Sequence, residues 1–137
     1  MRATDELMRS IFEDYDTIAV VGASTDRSKA GYYIPAYLKD QGYRIVPVNP
    51  NHDEVLGEHC YDSLEEIPFP VDVVEVFRRP EYTPDVARQA VAIGAKALWL
   101  QLGIFNSEAR RIAEEGGLKY VEDECMGPQH RRLLRAS

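Results

Sequence analysis

The chain has 137 residues, of which 45% are apolar and 28% charged, and its formal net charge is −7. This length suits one domain with a single core, so we treat 1–137 as one domain. The acidic balance argues against general binding to nucleic acid or anionic membranes, and no apolar run reaches membrane length or resembles a signal peptide.

The two cysteines, Cys60 and Cys125, lie far apart in the sequence. Their spacing matches neither a disulfide framework nor a zinc-binding pattern, so we expect no disulfide and no metal site. We therefore expect a cytoplasmic, reduced protein.

The first 14 residues have the pattern of an amphipathic helix. Thr4 is a suitable N-cap, acidic residues follow it, and apolar side chains recur at helical spacing. Thr17–Val21 comes next and is almost continuously apolar, which is typical of a parallel strand covered on both faces.

A small polar and basic loop, Gly22–Ala30, follows this strand. A glycine at a strand end lets backbone amides approach a ligand, and the helix that follows adds the positive end of its dipole. Since proline is best tolerated in a first turn, Pro35 predicts that this helix begins between Gly31 and Ile34. The loop favours a phosphate-bearing ligand, although a plain turn in which Ser24 caps the helix would have the same composition.

Strands and helices then alternate to the end of the chain. The predicted strands are Arg44–Val48, Val71–Phe77, Ala97–Gln101 and Lys119–Val121. The predicted helices are a short one at 64–67 after Ser63, one capped by Thr83 and running to about Ile93, Ser107–Glu115 after Asn106, and a tail at 122–137 that is helical after Pro128.

This order predicts an α/β fold, a Rossmann-like doubly wound sheet of about five parallel strands with helices on both faces. Ligands of such sheets bind at the C-terminal ends of the strands.

The end of the second strand discriminates between cofactors. An NAD site needs an acidic residue there, whereas this chain has Val48-Asn49-Pro50-Asn51-His52, with Asp53 the first carboxylate. The lack of an acidic residue at the end of this strand disfavours NAD and favours a ligand whose ribose carries a phosphate. An Asn-Pro turn without any ligand role would look the same.

Other candidate residues have structural alternatives. Arg78 and Arg79 suit an anionic ligand but equally suit surface ion pairs with Glu75, Glu81 or Asp72. We expect Trp99 in the core. Cys125 and His130 are five residues apart and would need hydrogen-bond contact to act as a catalytic pair; a structural cysteine is the alternative.

Five ordered segments resemble the small single-domain CoA-binding proteins, which are related to the N-terminal domain of the succinyl-CoA synthetase α subunit. These segments are Ile18–Ser24, Tyr43–Pro50, Asp53–Gly57, Val76–Arg79 and Gly94–Gly103. The resemblance covers about Asp14 to Leu134. Two positions depart from the family pattern, namely Asn51, where lysine is frequent, and Gly31, where serine is frequent.

The resemblance implies a coenzyme A site at the C-terminal edge of the sheet. CoA carries about four negative charges near neutral pH, which suits cations at two strand ends. By position, the pyrophosphate would face Gly22, Ala23 and Ser24, with Arg27 or Lys29 nearby. The adenosine and its ribose phosphate would lie at Val48, Asn49, Pro50 and His52. Phe77 and Arg78 would form the adjoining wall, and Gln101 and Gly103 would line the pantetheine path.

We therefore expect a protein that binds CoA or an acyl-CoA and has no catalytic residues of its own. Ligase relatives need a further domain for their chemistry. The alternatives are an NAD(P)-dependent enzyme, a CoA-thioester enzyme using Cys125, and an interaction module without a ligand. We expect no nucleic-acid partner and no membrane association, and the sequence leaves a homodimer or another protein partner open.

Overall fold

Five parallel strands form the central sheet of the computed structural model, which describes residues 3–135. These strands are β1 (Thr17–Val21), β2 (Arg44–Val48), β5 (Val73–Val76), β6 (Ala97–Leu100) and β7 (Lys119–Val121). Between β2 and β5, the short strands β3 (Glu54–Val55) and β4 (Glu58–His59) form an antiparallel hairpin. The order in the sheet is β2-β1-β5-β6-β7, so the direction of winding changes between β1 and β5.

Helices cover both faces of this sheet. The helices are α1 (Asp5–Asp14), α2 (Ala30–Asp40), α3 (Thr83–Ala92), α4 (Ser107–Glu115) and α5 (Met126–His130), which continues into a π-helical turn at Arg131–Arg135. Apolar side chains of α3 and α4 pack on one face, and those of α1, α2 and α5 pack on the other. The prediction of a doubly wound α/β sheet with five parallel strands is confirmed.

The strand sequences explain this two-sided core. Successive residues of a strand point to opposite faces, so a strand covered on both sides must be apolar throughout. In β1, Ile18 and Val20 contribute to the α1–α2–α5 layer, whereas Ala19 and Val21 contribute to the α3–α4 layer. Trp99 in β6 is fully buried, which confirms its predicted place in the core.

Helix α1 begins as predicted, because the Thr4 hydroxyl accepts a hydrogen bond from the Leu7 amide. Helix α3 does not. A 3₁₀ turn at Pro80–Tyr82 precedes it, and Tyr82 is the N-cap. The Thr83 hydroxyl donates to the Pro80 carbonyl at 2.6 Å, so the prediction that Thr83 caps this helix is wrong.

Helix α2 also starts earlier than predicted. It begins at Ala30, so that Pro35 lies inside it and is buried. A proline in this position leaves the carbonyl four residues earlier, that of Gly31, without its helical partner. The Ser24 amide donates to this carbonyl at 3.1 Å, which compensates for the lost hydrogen bond.

Smaller differences concern the chain between and after these elements. The β3–β4 hairpin lies in a segment for which the sequence predicted neither a strand nor a helix, and α5 begins two residues before Pro128. Within residues 3–135, no helix combines the length and hydrophobicity that crossing a bilayer requires.

Candidate functional site

The turn after β1 brings two glycines into close contact. Gly22 has a φ of +87°, and a Cβ built on it would lie 2.5 Å from the Phe77 carbonyl oxygen. A Cβ on Gly31 would lie 2.9 Å from the Gly22 carbonyl oxygen. The strand end, the start of α2 and the segment after β5 therefore approach one another closely, and a side chain at either position would separate them.

The backbone of this turn is already hydrogen bonded within the protein. The Gly22 amide donates to the Val48 carbonyl at 2.9 Å, and the Ser24 amide donates to Gly31. Two of the three amides expected at a pyrophosphate are thus engaged. Ser24 does not cap α2, since its hydroxyl accepts from the Asp26 amide and Lys29 is the N-cap residue.

The two cations of the loop, Arg27 and Lys29, are exposed. The guanidinium of Arg27 lies 5.8 Å from the centre of the Tyr32 ring. Asp26 directly precedes Arg27 in the sequence, and its pKa is lowered by hydrogen bonds from the Ser28 hydroxyl and amide. The loop therefore presents two positive charges and one negative charge to solvent.

At the tip of β2, Asn49 ties two loops together. Its side-chain amide donates to the Ala23 carbonyl at 2.9 Å, and its Oδ1 accepts from the Asn51 amide. Its backbone amide donates to the Tyr61 carbonyl. Asn49 thus positions both the first loop and the segment that follows β4.

A first cleft of about 430 Å³ opens at the point where the sheet changes direction, beside the ends of β1, β2 and β5. The lining residues that sequence reasoning named are Val48, Asn49, Pro50, Gly22, Phe77 and Arg78. Asp62, Ser63 and Leu64 complete one wall, because Tyr61 pairs with the end of β2 and carries them there. Asp62 brings a carboxylate to this cleft, which no pattern near β2 indicated.

A second cleft of about 440 Å³ lies on the other side of Phe77 and Arg78, which line both. Its further lining residues come from α2, the segment after β5, the segment after β6 and the start of α5: Ala30, Tyr33, Arg79, Gln101, Leu102, Ile104 and Cys125. The two clefts adjoin at Phe77 and Arg78, along the C-terminal edge of the sheet. Tyr33 and Leu102 are exposed at the rim of the second cleft.

Arg78 is the cation shared by both clefts. Its guanidinium lies 4.8 Å from the centre of the Tyr82 ring, and no ion pair forms at Arg78 or Arg79 among residues 3–135. The carboxylate of Asp72 accepts from the Asp16 and Thr17 amides instead. The structural alternative for Arg78 and Arg79, surface ion pairs with Glu75, Glu81 or Asp72, is therefore not formed among the described residues.

A buried carboxyl lies beneath the second cleft. Glu75, in the central strand β5, is fully buried, and its Oε2 accepts from Gln101 Nε2 at 2.6 Å. Burial raises the pKa of Glu75 to about 8, partly opposed by this hydrogen bond. Burial also raises the pKa of the Cys125 thiol, with further contributions from Glu75 and Glu124.

The proposed catalytic partner of Cys125 has another role. His130 Nδ1 lies 2.9 Å from the Tyr37 hydroxyl oxygen, and its ring packs edge-on against Phe12 and Tyr43. With its raised pKa, the Cys125 thiol is mostly protonated near pH 7 and is a poor nucleophile. Within the described part of the chain, no cluster of three His, Cys, Asp or Glu side chains could hold a metal ion.

The structure thus divides the residues that sequence reasoning selected. Those lining the clefts are Gly22, Val48, Asn49, Pro50, Phe77, Arg78 and Gln101. Those lining neither cleft are Ala23, Ser24, Arg27, Lys29, His52 and Gly103. The Gly103 amide donates to Asp123 Oδ1 at 2.6 Å, so it stabilises the turn after β6.

Comparison with known proteins identifies the family. Residues 16–131 match the CoA binding domain family. The chain belongs to this family. It is 37% identical to the Bacillus subtilis protein YneT over 123 residues, which cover 90% of this chain and 91% of YneT. A hypothetical protein from Pyrococcus horikoshii OT3 has the same fold, with a TM-score of 0.93 and 42% identity over 96% of this chain and 93% of that one.

Larger enzymes contain the same domain. The ADP-forming acetate–CoA ligase of Methanocaldococcus jannaschii is 28% identical over 119 residues, which are 81% of this chain. The matched region is only 17% of that ligase. The chain therefore corresponds to one part of the ligase and not to its whole length.

Proposed function

We propose that this protein binds coenzyme A or an acyl-CoA along the C-terminal edge of its sheet and acts as a binding or regulatory protein. The observation that carries this proposal is the pair of adjoining clefts, which share Phe77 and Arg78 and together suit one long ligand. Membership of the CoA binding domain family supports the choice of CoA over other phosphate-bearing molecules.

In this proposal, the adenosine and its ribose phosphate occupy the first cleft. The groups available to them are the polar residues at the tip of β2 and the segment around Ser63. Arg78 binds the pyrophosphate between the clefts, with Arg27 and Lys29 contributing positive charge from the exposed loop. The pantetheine arm follows the second cleft past Gln101, where the lining is largely apolar.

A binding role without turnover is supported by the chemistry of the second cleft. The only thiol that lines it, Cys125, has a raised pKa. A thiol that is held protonated is a poor nucleophile, so this cleft offers a binding surface more readily than a catalytic group.

The test is a thermal-shift and calorimetric panel of CoA, acetyl-CoA, dephospho-CoA, NADH and ATP. At a concentration of about one hundred times its dissociation constant, the true ligand stabilises the fold by about 2.7 kcal/mol. We expect this effect for CoA and acetyl-CoA and a smaller one for dephospho-CoA. Preference for NADH would favour a role for Asp62 at a ribose, and no stabilisation by any of these molecules would favour an interaction module.

A matched pair of variants tests the role of Arg78. Hydrogen bonds to charged groups contribute about 1.5–3 kcal/mol, so Arg78→Ala should weaken CoA binding roughly ten- to a hundredfold. Arg111→Ala is the control, since Arg111 is also exposed but pairs with Glu115 on α4 and lines neither cleft. Equal affinity of the two variants for CoA would contradict the proposed position of the pyrophosphate.

A further inference from the structure

Glu75 is an acidic residue in the middle of the sheet. It lies in β5, paired in register with Val20 of β1 on one side and Trp99 of β6 on the other, and no part of it is exposed. An ionised carboxylate in such a place loses its hydration and needs a compensating charge. Only the hydrogen bond from Gln101 opposes the effect of burial on this group, and no cation contributes.

Two buried oxygen atoms in the Glu75–Gln101 pair lack a hydrogen-bond partner. Gln101 Nε2 donates to Glu75 Oε2, whereas Glu75 Oε1 and Gln101 Oε1 are buried and have no hydrogen-bond partner. Both are acceptors if the carboxyl is ionised. A single proton on the carboxyl converts one of them into a donor for the other.

We propose that Glu75 is protonated in the folded protein and donates from Oε1 to Gln101 Oε1, so that the two side chains form a neutral acid–amide pair with two hydrogen bonds. Glu75 is then a positioning residue. It does not line the second cleft but fixes the amide of Gln101, which does. The pair provides an uncharged, ordered floor beneath a cleft that we assign to an anionic ligand.

The surroundings are consistent with a neutral carboxyl. On this face of the sheet, the titratable side chains in or against the apolar layer are Tyr15, Tyr37, Tyr43, Cys60 and Cys125, and Glu124 and His130 are buried beside and in α5. The described residues of α1 that pack here, Met8, Ile11 and Phe12, are apolar. The cations Arg78 and Arg79 lie at the cleft, and neither contributes to the pKa of Glu75.

The first test uses the protein without ligand. A folded pKa of about 8, against an ordinary value of 4.5, means that the folded state holds one more proton than the unfolded state between these values. Stability therefore falls as pH rises from about 4.5 to about 8 and levels off above that, with the unfolding constant rising by roughly a few thousandfold in total. Glu75→Gln should abolish this contribution, because an amide–amide pair keeps both hydrogen bonds without a titrating proton.

The measurement is urea unfolding of both proteins from pH 4.5 to 9.5, in which the difference between them removes the effect of all other groups. Infrared spectroscopy of both folded proteins at pH 6.5 gives a second, independent readout of the protonation state of Glu75. A protonated-carboxyl band present in wild type and absent from Glu75→Gln supports the proposal. Parallel pH profiles, or the absence of that band, would overturn it.

The positioning role rests on the proposed function, and CoA itself is the probe. Ionisation of Glu75 removes the donor to Gln101 Oε1 and adds a negative charge, so the wild-type dissociation constant should rise at least tenfold relative to that of Glu75→Gln between pH 7 and pH 9.5. Parallel binding profiles would refute positioning by Glu75. If neither protein binds CoA at any pH, the proposed function fails together with this role, whereas the ligand-free measurements still decide the protonation state.

Discussion

Gly22 and Gly31 show what single residues contribute to the site. Gly22 combines a positive φ with a close approach to the Phe77 backbone, and Gly31 packs against the Gly22 carbonyl. A Cβ at position 31 would crowd that carbonyl at 2.9 Å. The glycine therefore serves close packing of α2 against the end of β1, and it brings Phe77 to the boundary between the two clefts.

Gly22→Ala should destabilise the protein by about 2–4 kcal/mol, from the positive φ together with the overlap on the Phe77 carbonyl. Gly57→Ala is the matched control, because Gly57 has a φ of +74° and nothing within 4 Å of its built Cβ. Gly57→Ala should lose about 1–2 kcal/mol of folding stability, which is the cost of an L-residue at positive φ alone. Urea unfolding measures both, and equal losses would show that the contact with Phe77 has no energetic effect.

At the scale of elements, the loops after β5 and β6 are held by the start of α4. The Asn106 Oδ1 accepts from the Ala109 amide at 2.9 Å as the N-cap of α4, and its Nδ2 donates to the Pro80 carbonyl at 3.2 Å. One side chain thus fixes the end of the segment that lines the second cleft to the segment that carries Arg78 and Arg79. The cap was predictable from local sequence, but the bond to Pro80 was not.

Asn106→Ala should destabilise the protein by about 1–2 kcal/mol through the lost cap. Asn106→Asp keeps the cap acceptor and adds a favourable charge at the helix N-terminus, but it loses the donor to Pro80. We therefore expect Asn106→Asp to recover most of the stability in urea unfolding. If the two variants were equally destabilised, the bond to Pro80, and not the cap, would be the main contribution of this residue.

At the scale of the whole molecule, Trp99 links the sheet to one helical layer. It is the only tryptophan of the chain. It is fully buried, its indole N–H donates to the Glu124 carbonyl at 2.8 Å, and its ring centre lies 5.4 Å from that of Phe12 in α1. The fluorescence of Trp99 therefore reports on β6, on α1 and on the segment before α5 together.

We expect Trp99 fluorescence and far-ultraviolet circular dichroism to give coincident urea transitions, as in two-state unfolding of a single core. The native emission should also resist quenching by iodide, since the ring is inaccessible. A fluorescence change that precedes the loss of helical signal would mean that the α1–α5 layer separates from the sheet before the rest of the protein unfolds.

The alternation of apolar strands with capped helices was sufficient to predict the doubly wound sheet, because hydrophobic periodicity and turn residues are local properties of a sequence. Local rules were less reliable where a distant group intervened. Pro35 lies inside α2 because the Ser24 amide, from the loop that precedes the helix, satisfies the carbonyl that proline leaves free.

The sequence by itself determined the strands, the glycine turn, the arginines after β5 and the family resemblance, since each depends on neighbouring residues. Only the tertiary structure decided that Asp62 reaches the first cleft, that the Gly22 and Ser24 amides are already engaged, and that Glu75 lies beside Gln101. The physical reason is that parallel strands bring the ends of distant segments to one edge. Hydrogen bonding and burial at that edge depend on partners that no local pattern specifies.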